Sequence, residues 1–343
     1  MMSKKLSGLI VGCGSIGERH LYNLKKNGIK NIAVLDSDEK RLEQISRKYN
    51  SKKFLDIDSA LAASPDFVFI CTYPSSHLKI ANLCVKNGTH LFIEKPISSD
   101  LNGISSMLKK ADSKKLKIAV GYNTRFEKGL NFLKNSLHRS KIQPLAVSCQ
   151  FGNHIKFWRP GTNYKKHYIL QKEGGIILDD SHEIDYIRWL FDEDVKSVFC
   201  QIRKSKSLRA KSDSLALIQL KFHSGLIANL TIDYMRPLYE RNCHIIGELG
   251  DIRWRFIPVT KSWKNYCSKV TSTVVSRKLN NKKIYEKRFR TLVNDMYNEE
   301  CNDFLNSIIK KRKPKIDGWD GLKTLKIALM ALKSAKENKV IKI

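Results

Sequence analysis

The sequence predicts an α/β protein of two domains, a doubly wound parallel sheet over residues 1–121 and an α+β domain with a mostly antiparallel sheet over residues 122–343. Three observations predict this division. Short apolar runs alternate with helix-like stretches up to residue 121, as in a parallel sheet with crossover helices. A glycine-rich turn joins the first run to the first helix. Beyond residue 121, apolar runs follow one another with few intervening helices, which is typical of antiparallel strands.

The glycine-rich turn lies between an apolar run, residues 6–11, and a helix-like stretch, residues 18–27. Its sequence is Gly12-Cys13-Gly14-Ser15-Ile16-Gly17, the pattern G-x-G-x-x-G. In this setting the first glycine permits the tight turn, the second lets a pyrophosphate approach the backbone, and the third lets the helix pack on the strand. The positive end of the helix then faces the phosphates. The pattern predicts a dinucleotide-binding Rossmann domain.

An acidic residue ends the second predicted strand. Asp36 follows residues 31–35 and lies 19 residues after Gly17, where a carboxylate accepts hydrogen bonds from the ribose hydroxyls of a dinucleotide. The same carboxylate would repel the 2′-phosphate of NADP, so the sequence favours NAD. Arg41, one helical turn further on, keeps NADP as the less favoured alternative.

The remaining strands predicted in the first domain are residues 53–55, 66–71, 89–94 and 116–121. Ligands of a doubly wound sheet bind at the carboxyl ends of its strands, where Thr72 and Lys95 join Gly12 and Asp36. The predicted cofactor-binding residues are Gly12, Gly14, Ser15, Ile16, Gly17, Asp36, Arg41, Cys71, Thr72, Tyr73, His77, Glu94 and Lys95.

The second domain has the pattern of an antiparallel sheet with a few helices. Its predicted strands are residues 145–153, 195–203, 213–223, 226–234 and 242–249. Its predicted helices are residues 125–139, 174–190, 295–311 and 319–338, the last packing back toward the first domain. The turn His223-Ser224-Gly225 predicts a hairpin. Residues 257–290 form either an irregular basic excursion or further edge strands.

The formal charge of +30 comes from 63 basic and 33 acidic residues. A basic surface attracts phosphates, so nucleic acid is a partner to consider. Lys outnumbers Arg by 46 to 17, which disfavours base recognition because that recognition prefers Arg forks. The excess is spread along the chain except at residues 257–290, with ten basic residues against one Glu. An anionic small molecule is the more economical partner.

The eight cysteines are scattered, without CxxC spacing and without a His at metal-ligand spacing. We expect free thiols, no structural metal and a cytoplasmic protein. The polar residues 1–5 lack the apolar core of a signal peptide. No stretch approaches the roughly 20 apolar residues of a membrane helix, so no membrane association is expected.

Four stretches together resemble the glucose–fructose oxidoreductase/inositol dehydrogenase family (Gfo/Idh/MocA). They are the glycine turn followed by Arg19-His20, Glu94-Lys95-Pro96, the run Gly121-Tyr122-Asn123-Thr124-Arg125-Phe126, and the run from Gly174 to Asp185. Residues 320–343 also resemble the family's closing helix and strand, so the resemblance covers nearly the whole chain. It implies a two-domain NAD(P)-dependent oxidoreductase acting on a CH–OH group of a sugar, cyclitol or nucleotide sugar. It also implies a homodimer or homotetramer paired through the second domain's sheet.

The resemblance implies catalytic roles for Lys95, His182 and Asp179. Lys95 would hydrogen-bond the reacting oxygen and touch the nicotinamide ribose, and His182 would be the general acid/base with Asp179 beside it. Many members space this Asp and His by four residues, whereas here they are three apart. On one helix both spacings keep the side chains on one face, so Asp179 is retained, with Asp180 as its rival.

The residue types suit this chemistry. A fixed ammonium such as that of Lys95 stabilises an alkoxide as its charge develops. An imidazole has an ordinary pKa of about 6.5 and therefore exchanges protons near neutrality. The hydroxyl of Tyr122, the amide of Asn123 and the guanidinium of Arg125, at the domain boundary, suit a polyol or a phosphate. The predicted substrate-binding residues are Lys95, Tyr122, Asn123, Arg125, Trp158, Asp179 and His182.

Plainer interpretations stay open for these residues. Lys95 could be a solvated charge at a strand end, and His182 a structural residue at the start of a helix. Arg125 is either a substrate ligand or an ion-pair partner. The loop containing Trp158 either contacts substrate or covers the domain edge.

The sequence therefore supports two hypotheses. The first is an NAD(P)-dependent dehydrogenase of a sugar, cyclitol or nucleotide sugar. The basic residues of 154–172 hint at an anionic sugar, for example a nucleotide sugar or a precursor of a surface polysaccharide. The alternative is a non-catalytic dinucleotide-binding sensor or partner subunit, which the altered spacing of Asp179 and His182 motivates.

Overall fold

The structure is a computed structural model that describes residues 6–140, 142–157, 163–259, 266–279 and 283–343. These residues form two compact units. The first comprises the described residues up to Asn123 together with Tyr297–Leu325. The second comprises the described residues of Thr124–Met296 together with Lys326–Ile343. Trp158 lies outside the described residues.

The first unit contains a six-stranded parallel sheet. Its strands are β1 (Ser7–Val11), β2 (Asn31–Leu35), β3 (Lys53–Phe54), β4 (Phe67–Ile70), β5 (His90–Ile93) and β6 (Ile118–Val120). They lie in the order β3-β2-β1-β4-β5-β6, and every neighbouring pair is parallel. All four residues of β4 are buried, as expected of an apolar strand covered on both faces. The predicted doubly wound sheet is confirmed.

Helices connect these strands. They are α1 (Ser15–Lys26), α2 (Glu39–Tyr49), α3 (Ile57–Ala62), α4 (Pro74–Lys86) and α5 (Ile104–Ser113). Side chains of Asp38 and Asp56 cap α2 and α3 by accepting backbone N–H groups of Arg41 and Ser59. Helix α5 begins at Ile104, directly after Gly103, which has a left-handed conformation with φ +77°.

The aromatic core of the first unit includes a residue from the far end of the chain. Helix α9 (Val293–Ile309) supplies Phe304, which meets the rings of Phe67, Phe69 and Phe92 edge-on at centroid distances of 6.0, 5.5 and 5.8 Å. Phe69 and Phe92 stack on each other at 4.4 Å. Such aromatic contacts add stability beyond the area they bury. The first unit is therefore not contiguous in sequence.

The second unit contains a nine-stranded sheet. Its strands are β7 (Pro144–Gly152), β8 (Val195–Arg203), β9 (Leu215–Phe222), β10 (Ile227–Asp233), β11 (Glu240–Gly247), β12 (Gly250–Pro258), β13 (Lys269–Lys278), β14 (Ile284–Leu292) and β15 (Ile341–Lys342). Their order is β14-β13-β12-β11-β7-β10-β9-β8-β15, and only β7 and β10 pair in parallel among the described strands. The predicted mostly antiparallel sheet is confirmed.

Residues 257–290 were expected to form either an irregular excursion or further edge strands. The described residues of this segment form edge strands. Strands β13 and β14 extend the sheet to one edge. The predicted hairpin between β9 and β10 is present, with Gly225 at φ +97°.

One face of this sheet is covered and the other is open. Along β9 the residues Ala216, Ile218, Leu220 and Phe222 are buried, whereas Leu217, Gln219 and Lys221 are exposed. The unit's α-helices are α6 (Lys128–Ser140), α7 (Ile176–Asp179), α8 (His182–Phe191), the first turn of α9 and part of α10 (Gly318–Glu337). The open face carries a cleft of about 540 Å³ whose lining includes Ser148, Gln150, Asn242, His244, Arg253 and Arg255.

None of the helices in the described ranges is both long enough and apolar enough to cross a membrane.

Candidate functional site

The glycine turn has the shape of a phosphate cradle. Gly12 has φ +93°, and a Cβ there would lie 2.7 Å from the carbonyl oxygen of Cys71. A Cβ at Gly17 would lie 1.8 Å from the carbonyl oxygen of Gly12. By contrast, no described atom lies within 4 Å of a Cβ placed on Gly14. The turn is thus closed at its first and last glycines and open at the middle one, where a pyrophosphate needs room.

Helix α1 presents its N-terminus beside this opening. Ser15 and Ile16 are its first residues, and Gly14 offers no side-chain cap. The first N–H groups of a helix need partners and attract anions, so they suit a phosphate. Cys13 contributes a thiol whose pKa burial raises to about 12, with Asp36 adding to the effect, so it remains protonated.

Asp36 is held in a fixed orientation directly after β2. Its carboxylate accepts the backbone N–H of Cys13 at 2.6 Å and that of Asp38 at 2.8 Å. The guanidinium of Arg41 lies 3.4 Å away and is shared with Asp38. The open Gly14, the free helix end and this carboxylate together fit the pyrophosphate and ribose of NAD.

The loop after β4 contains predicted cofactor residues of two kinds. Tyr73 is 62% exposed, whereas Cys71 is buried and burial raises the pKa of its thiol well above the ordinary range. His77 is fully buried, and its Nε2 and Nδ1 each lie 3.0 Å from a backbone carbonyl oxygen, those of Thr72 and Pro96. Burial lowers the pKa of His77, and the two carbonyl contacts oppose that shift. His77 therefore ties the loop after β4 to the turn after β5.

Glu94, Lys95 and Pro96 follow β5 directly. Lys95 is half-buried, and its backbone N–H donates to Glu94 Oε2 at 3.2 Å. Glu94 Oε1 lies 2.6 Å from His20 Nε2. A Cβ on Gly121 would lie 3.0 Å from the Glu94 carboxylate, so the glycine after β6 makes room for it. Glu94 is thus packed against fixed groups on several sides.

His20, Glu94 and Glu300 have ligand-type atoms that all lie within 4.8 Å of one another. These residue types also bind divalent metals. However, His20 Nε2 and Glu94 Oε1 make a direct hydrogen bond of 2.6 Å. Two ligand atoms that bind one ion at about 2.0–2.2 Å with a tetrahedral angle between them would lie further apart than this. We therefore assign no metal to this cluster.

In the second unit, Asp179 and His182 lie on different helices. The expectation of one helix from Gly174 to Leu190 is wrong, because α7 ends at Asp179 and α8 begins at His182. Asp180 has φ −116° and ψ 51°, which interrupts the helix. Asp179 and His182 therefore do not lie on one face of a single helix.

Close packing against Asp213 explains why a glycine, Gly175, directly precedes α7. A Cβ on Gly175, at φ +119°, would lie 2.2 Å from Asp213 Oδ1. Asp213 Oδ2 accepts the backbone N–H of Ile177 at 2.9 Å and so caps α7.

Asp179 and Asp180 have different partners. Asp179 accepts a hydrogen bond from the hydroxyl of Tyr168 at 2.5 Å and one from that of Tyr234 at 3.3 Å. Asp180 accepts the Nη2–H of Arg241 at 2.8 Å. A carboxylate that neutralises a buried guanidinium is costly to divert, so Asp180 is committed to Arg241, whereas Asp179 is bound by two neutral hydroxyls.

Arg241 also lies between Asp180 and Glu183. Its Nε is 3.0 Å from Glu183 Oε1, and its guanidinium stacks 4.2 Å from the Phe151 ring centroid. Burial raises the pKa of Glu183 to about 8, the positive charge of Arg241 opposes the shift, and Asp180 adds to it. Nothing in the local sequence pattern links Arg241, Glu183, Tyr168 or Tyr234 to His182, so these four residues were not predicted as site residues.

Arg125 forms a buried ion pair. Its Nε and Nη2 donate to Asp185 Oδ2 and Oδ1 at 2.7 and 2.6 Å, and the two side chains are 5% and 1% exposed. The structure thus shows the ion pair that was one of the two interpretations of Arg125. Tyr122 and Asn123 are also buried, at 0% and 5% exposure.

Replacing Asp185 with Asn is expected to lower the free energy of unfolding by about 3–5 kcal/mol, because the Arg125 guanidinium would stay buried without its counter-ion. Urea denaturation measures this, and the double variant Arg125→Met/Asp185→Asn should lose less than the sum of the single variants. Arg47→Ala, which removes a pair whose arginine is 80% exposed, is the control and should cost little. Unchanged stability with a raised KM for substrate would instead make Arg125 a substrate ligand.

Comparison with known proteins identifies the family and the fold of the chain. A family model described as the oxidoreductase family (Gfo/Idh/MocA), NAD-binding Rossmann fold, matches residues 6–122. The model of the same family's C-terminal alpha/beta domain matches residues 147–343.

Among curated relatives, myo-inositol 2-dehydrogenase of Thermotoga maritima is 24% identical, over 97% of each chain. Inositol 2-dehydrogenase/D-chiro-inositol 3-dehydrogenase of Lacticaseibacillus casei is 26% identical, over 97% of this chain and 93% of that protein. Among solved structures, the WlbA dehydrogenase of Bordetella pertussis, in complex with NADH and UDP-GlcNAcA, has a TM-score of 0.81 at 18% identity, covering 99% of each chain. That likeness shows a shared fold. Because the two family models cover most of the sequence, the chain belongs to the Gfo/Idh/MocA family of oxidoreductases.

Proposed function

We propose that the protein is an NAD-dependent dehydrogenase that moves a hydride between the nicotinamide and a secondary alcohol or ketone of a cyclitol or sugar. The observation that carries the proposal is the position of Lys95. It follows β5 at the same carboxyl edge of the parallel sheet as the open glycine turn and Asp36. The groups that would bind a dinucleotide and the fixed positive charge of Lys95 thus lie at the same edge of the sheet.

When bound, NAD⁺ supplies the hydride acceptor. We assign to Lys95 the stabilisation of negative charge on the substrate oxygen as its proton leaves. We assign to His182 the acceptance of that proton, and its return in the reverse direction. Asp179, held by the hydroxyls of Tyr168 and Tyr234, is assigned the orientation of the imidazole.

The preference for NAD rests on Asp36. Its carboxylate is fixed by two backbone N–H groups and stands where the ribose hydroxyls of NAD would be recognised. A 2′-phosphate would meet this negative charge. Arg41 is already shared between Asp36 and Asp38, so it offers little compensation.

Two substrate classes are supported by different observations. The names of the curated relatives favour inositols. The charge of +30 and the exposed Lys156 and Lys165 favour an anionic substrate, such as a nucleotide sugar of surface polysaccharide synthesis. The non-catalytic alternative is not favoured, since the curated relatives named above are dehydrogenases.

A substrate screen tests the proposal. Purified protein is mixed with NAD⁺ or NADP⁺ and with inositols, sugars or nucleotide sugars, and NADH formation is followed by absorbance. We expect turnover with at least one of these substrates and a higher kcat/KM with NAD⁺ than with NADP⁺. Bound NADH that no keto-sugar or inosose oxidises would instead support the non-catalytic alternative.

We also propose a cytoplasmic homo-oligomer. All eight cysteines are free thiols and seven are buried, which suits a reducing compartment. The open face of the second unit's sheet exposes Leu217, Ile227, Ile246 and Ile257 by 41–48%, an apolar content that pairing with a second copy would bury. A monomeric mass in light scattering would contradict the oligomer, and recovery of the protein outside the cytoplasm would contradict the location.

A further inference from the structure

A buried carboxyl group lies close to the Glu94–Lys95 turn. Glu300, in the part of α9 that belongs to the first unit, is 2% exposed. Neither of its carboxylate oxygens has a hydrogen-bond partner among the described residues. Its ligand-type atom lies within 4.8 Å of those of Glu94 and His20. The residue has no part in the chemistry assigned above, yet it lies against the carboxylate beside Lys95.

Several elements contribute charged or titratable groups to this cluster. They are Arg19 and His20 from α1, Cys71 after β4, Glu94 and Lys95 after β5, and Tyr297, Glu300 and Cys301 from α9. The His20 ring contacts those of Phe69 and Phe92, at centroid distances of 5.1 and 4.9 Å, and its Nδ1 is 3.3 Å from Cys301 Sγ. Arg19 stacks on the Tyr297 ring at 4.3 Å.

Two carboxyl groups in such a place do not both ionise readily, because burial and mutual repulsion disfavour a second negative charge. The hydrogen bonds decide which one keeps the proton. Glu94 accepts from the Lys95 backbone N–H and contacts His20 Nε2, so donors stabilise its anion. Glu300 has no such donor. Burial raises the pKa of Glu300 well above the ordinary value, Glu94 adds to the shift, and Arg19 opposes it.

We propose that Glu300 is a positioning residue that stays protonated, so that the cluster holds a single anion, on Glu94, which His20 and the Lys95 amide keep in place. Ionisation of Glu300 would place a second negative charge against Glu94 and push that carboxylate from its position next to Gly121. The Lys95 turn would then lose one of its supports. The link to Lys95 rests on the proposed function, whereas the location of the proton does not.

The first test is the pH dependence of unfolding in urea, measured from pH 5 to pH 9 for the wild type, Glu300→Gln and Glu299→Gln. Gln matches a protonated Glu in shape and charge. Glu299 is the control because it is the exposed neighbour of Glu300 on the same helix. A group whose pKa is raised by folding stabilises the protein fully below its ordinary pKa, and that contribution is lost as the pH rises toward its folded value.

We therefore expect the unfolding constant of the wild type to rise, relative to that of Glu300→Gln, by up to tenfold per pH unit above about pH 5. Glu299→Gln should follow the wild type. Parallel curves for wild type and Glu300→Gln would mean that Glu300 is ionised in the folded protein, which overturns the proposal.

Arg19→Met gives a second test that leaves Glu300 unchanged, in case Glu300→Gln does not fold. A protonated Glu300 is little affected by the guanidinium, so the variant should keep the wild-type dependence of unfolding on pH. If Glu300 is an anion paired with Arg19, removing the guanidinium would return the proton, and a new pH dependence of about one proton would appear. That outcome also overturns the proposal.

Turnover tests the connection to Lys95. The ratio of kcat for Glu300→Gln to kcat for the wild type should be near one at pH 6 and should rise at alkaline pH, with the KM for NAD⁺ unchanged within about twofold. A constant ratio would exclude a positioning role. If the wild type turned over no substrate, the proposed function and the role toward Lys95 would fail together. The unfolding curves would still decide where the proton lies.

Discussion

Replacing Lys95 with Met is expected to lower kcat by about 10²–10³-fold, which corresponds to about 2.7–4 kcal/mol of transition-state stabilisation. Met keeps the length of the side chain and removes the positive charge. The negative charge that develops on the substrate oxygen would then lack its fixed counter-charge. Because this charge is small before the chemical step, the KM for NAD⁺ should change much less than kcat. Initial rates of NADH formation measure both constants.

The control for this result is Lys86→Met, which removes an exposed ammonium at the end of α4. It should retain wild-type rates, so a general effect of net charge can be set aside. NADH binding, followed by fluorescence, should be preserved in both variants. Wild-type turnover by Lys95→Met would contradict the assignment and leave Lys95 as a solvated charge at a strand end.

Replacing His182 with Ala is expected to lower kcat by about 10²–10⁴-fold, the usual contribution of a positioned general acid or base. The loss should appear in the oxidative direction, because no other group has been assigned the proton that leaves the substrate hydroxyl. Initial rates of NADH formation by the variant and the wild type test this expectation.

Two comparisons make the His182 result specific. His223→Ala removes an exposed imidazole in the hairpin between β9 and β10 and should leave kcat unchanged. Asp179→Asn should lower kcat with little loss of stability, whereas Asp180→Asn should mainly lower stability because Asp180 is the counter-ion of Arg241. The reverse pattern would identify Asp180 as the catalytic partner.

The parallel sheet and the glycine turn of the first unit could be predicted because their determinants are local. Most of the strands are short apolar runs, and G-x-G-x-x-G reports a turn whose glycines are required within a few residues of each other. Gly17 faces the carbonyl of Gly12, which lies in the same turn. Asp36 could be predicted in the same way, because it directly follows β2, which pairs with β1. These constraints can be recognised without knowledge of distant contacts.

The break between α7 and α8 could not be predicted in the same way. The residues from Gly174 to Leu190 have an apolar pattern compatible with one helix. What interrupts it is tertiary: Asp213 caps α7 from 36 residues away, and Arg241 binds Asp180 from 61 residues away. Local helical preference is weak enough for such contacts to override it.

The buried cluster around Glu94 was missed for the same physical reason. His20 was visible in the sequence as part of Arg19-His20 but had no assigned partner. It meets Cys301 across 281 residues, and Glu300 reaches the cluster from the same helix. No periodic pattern marks one glutamate of α9 as a buried acid. Only the fold brings it next to the end of β5.

The origin of Phe304 has a consequence for the order in which the protein folds during synthesis. The sheet of the first unit is complete once Val120 has left the ribosome, but its aromatic core is not. At roughly 5–20 residues per second, the 184 residues that follow Val120 up to Phe304 take about 10–40 s to synthesise. During that interval Phe69 and Phe92 lack their edge-on partner and stay partly open to other chains. The first unit, although encoded first, is therefore expected to reach its native packing only when synthesis of the chain is nearly complete.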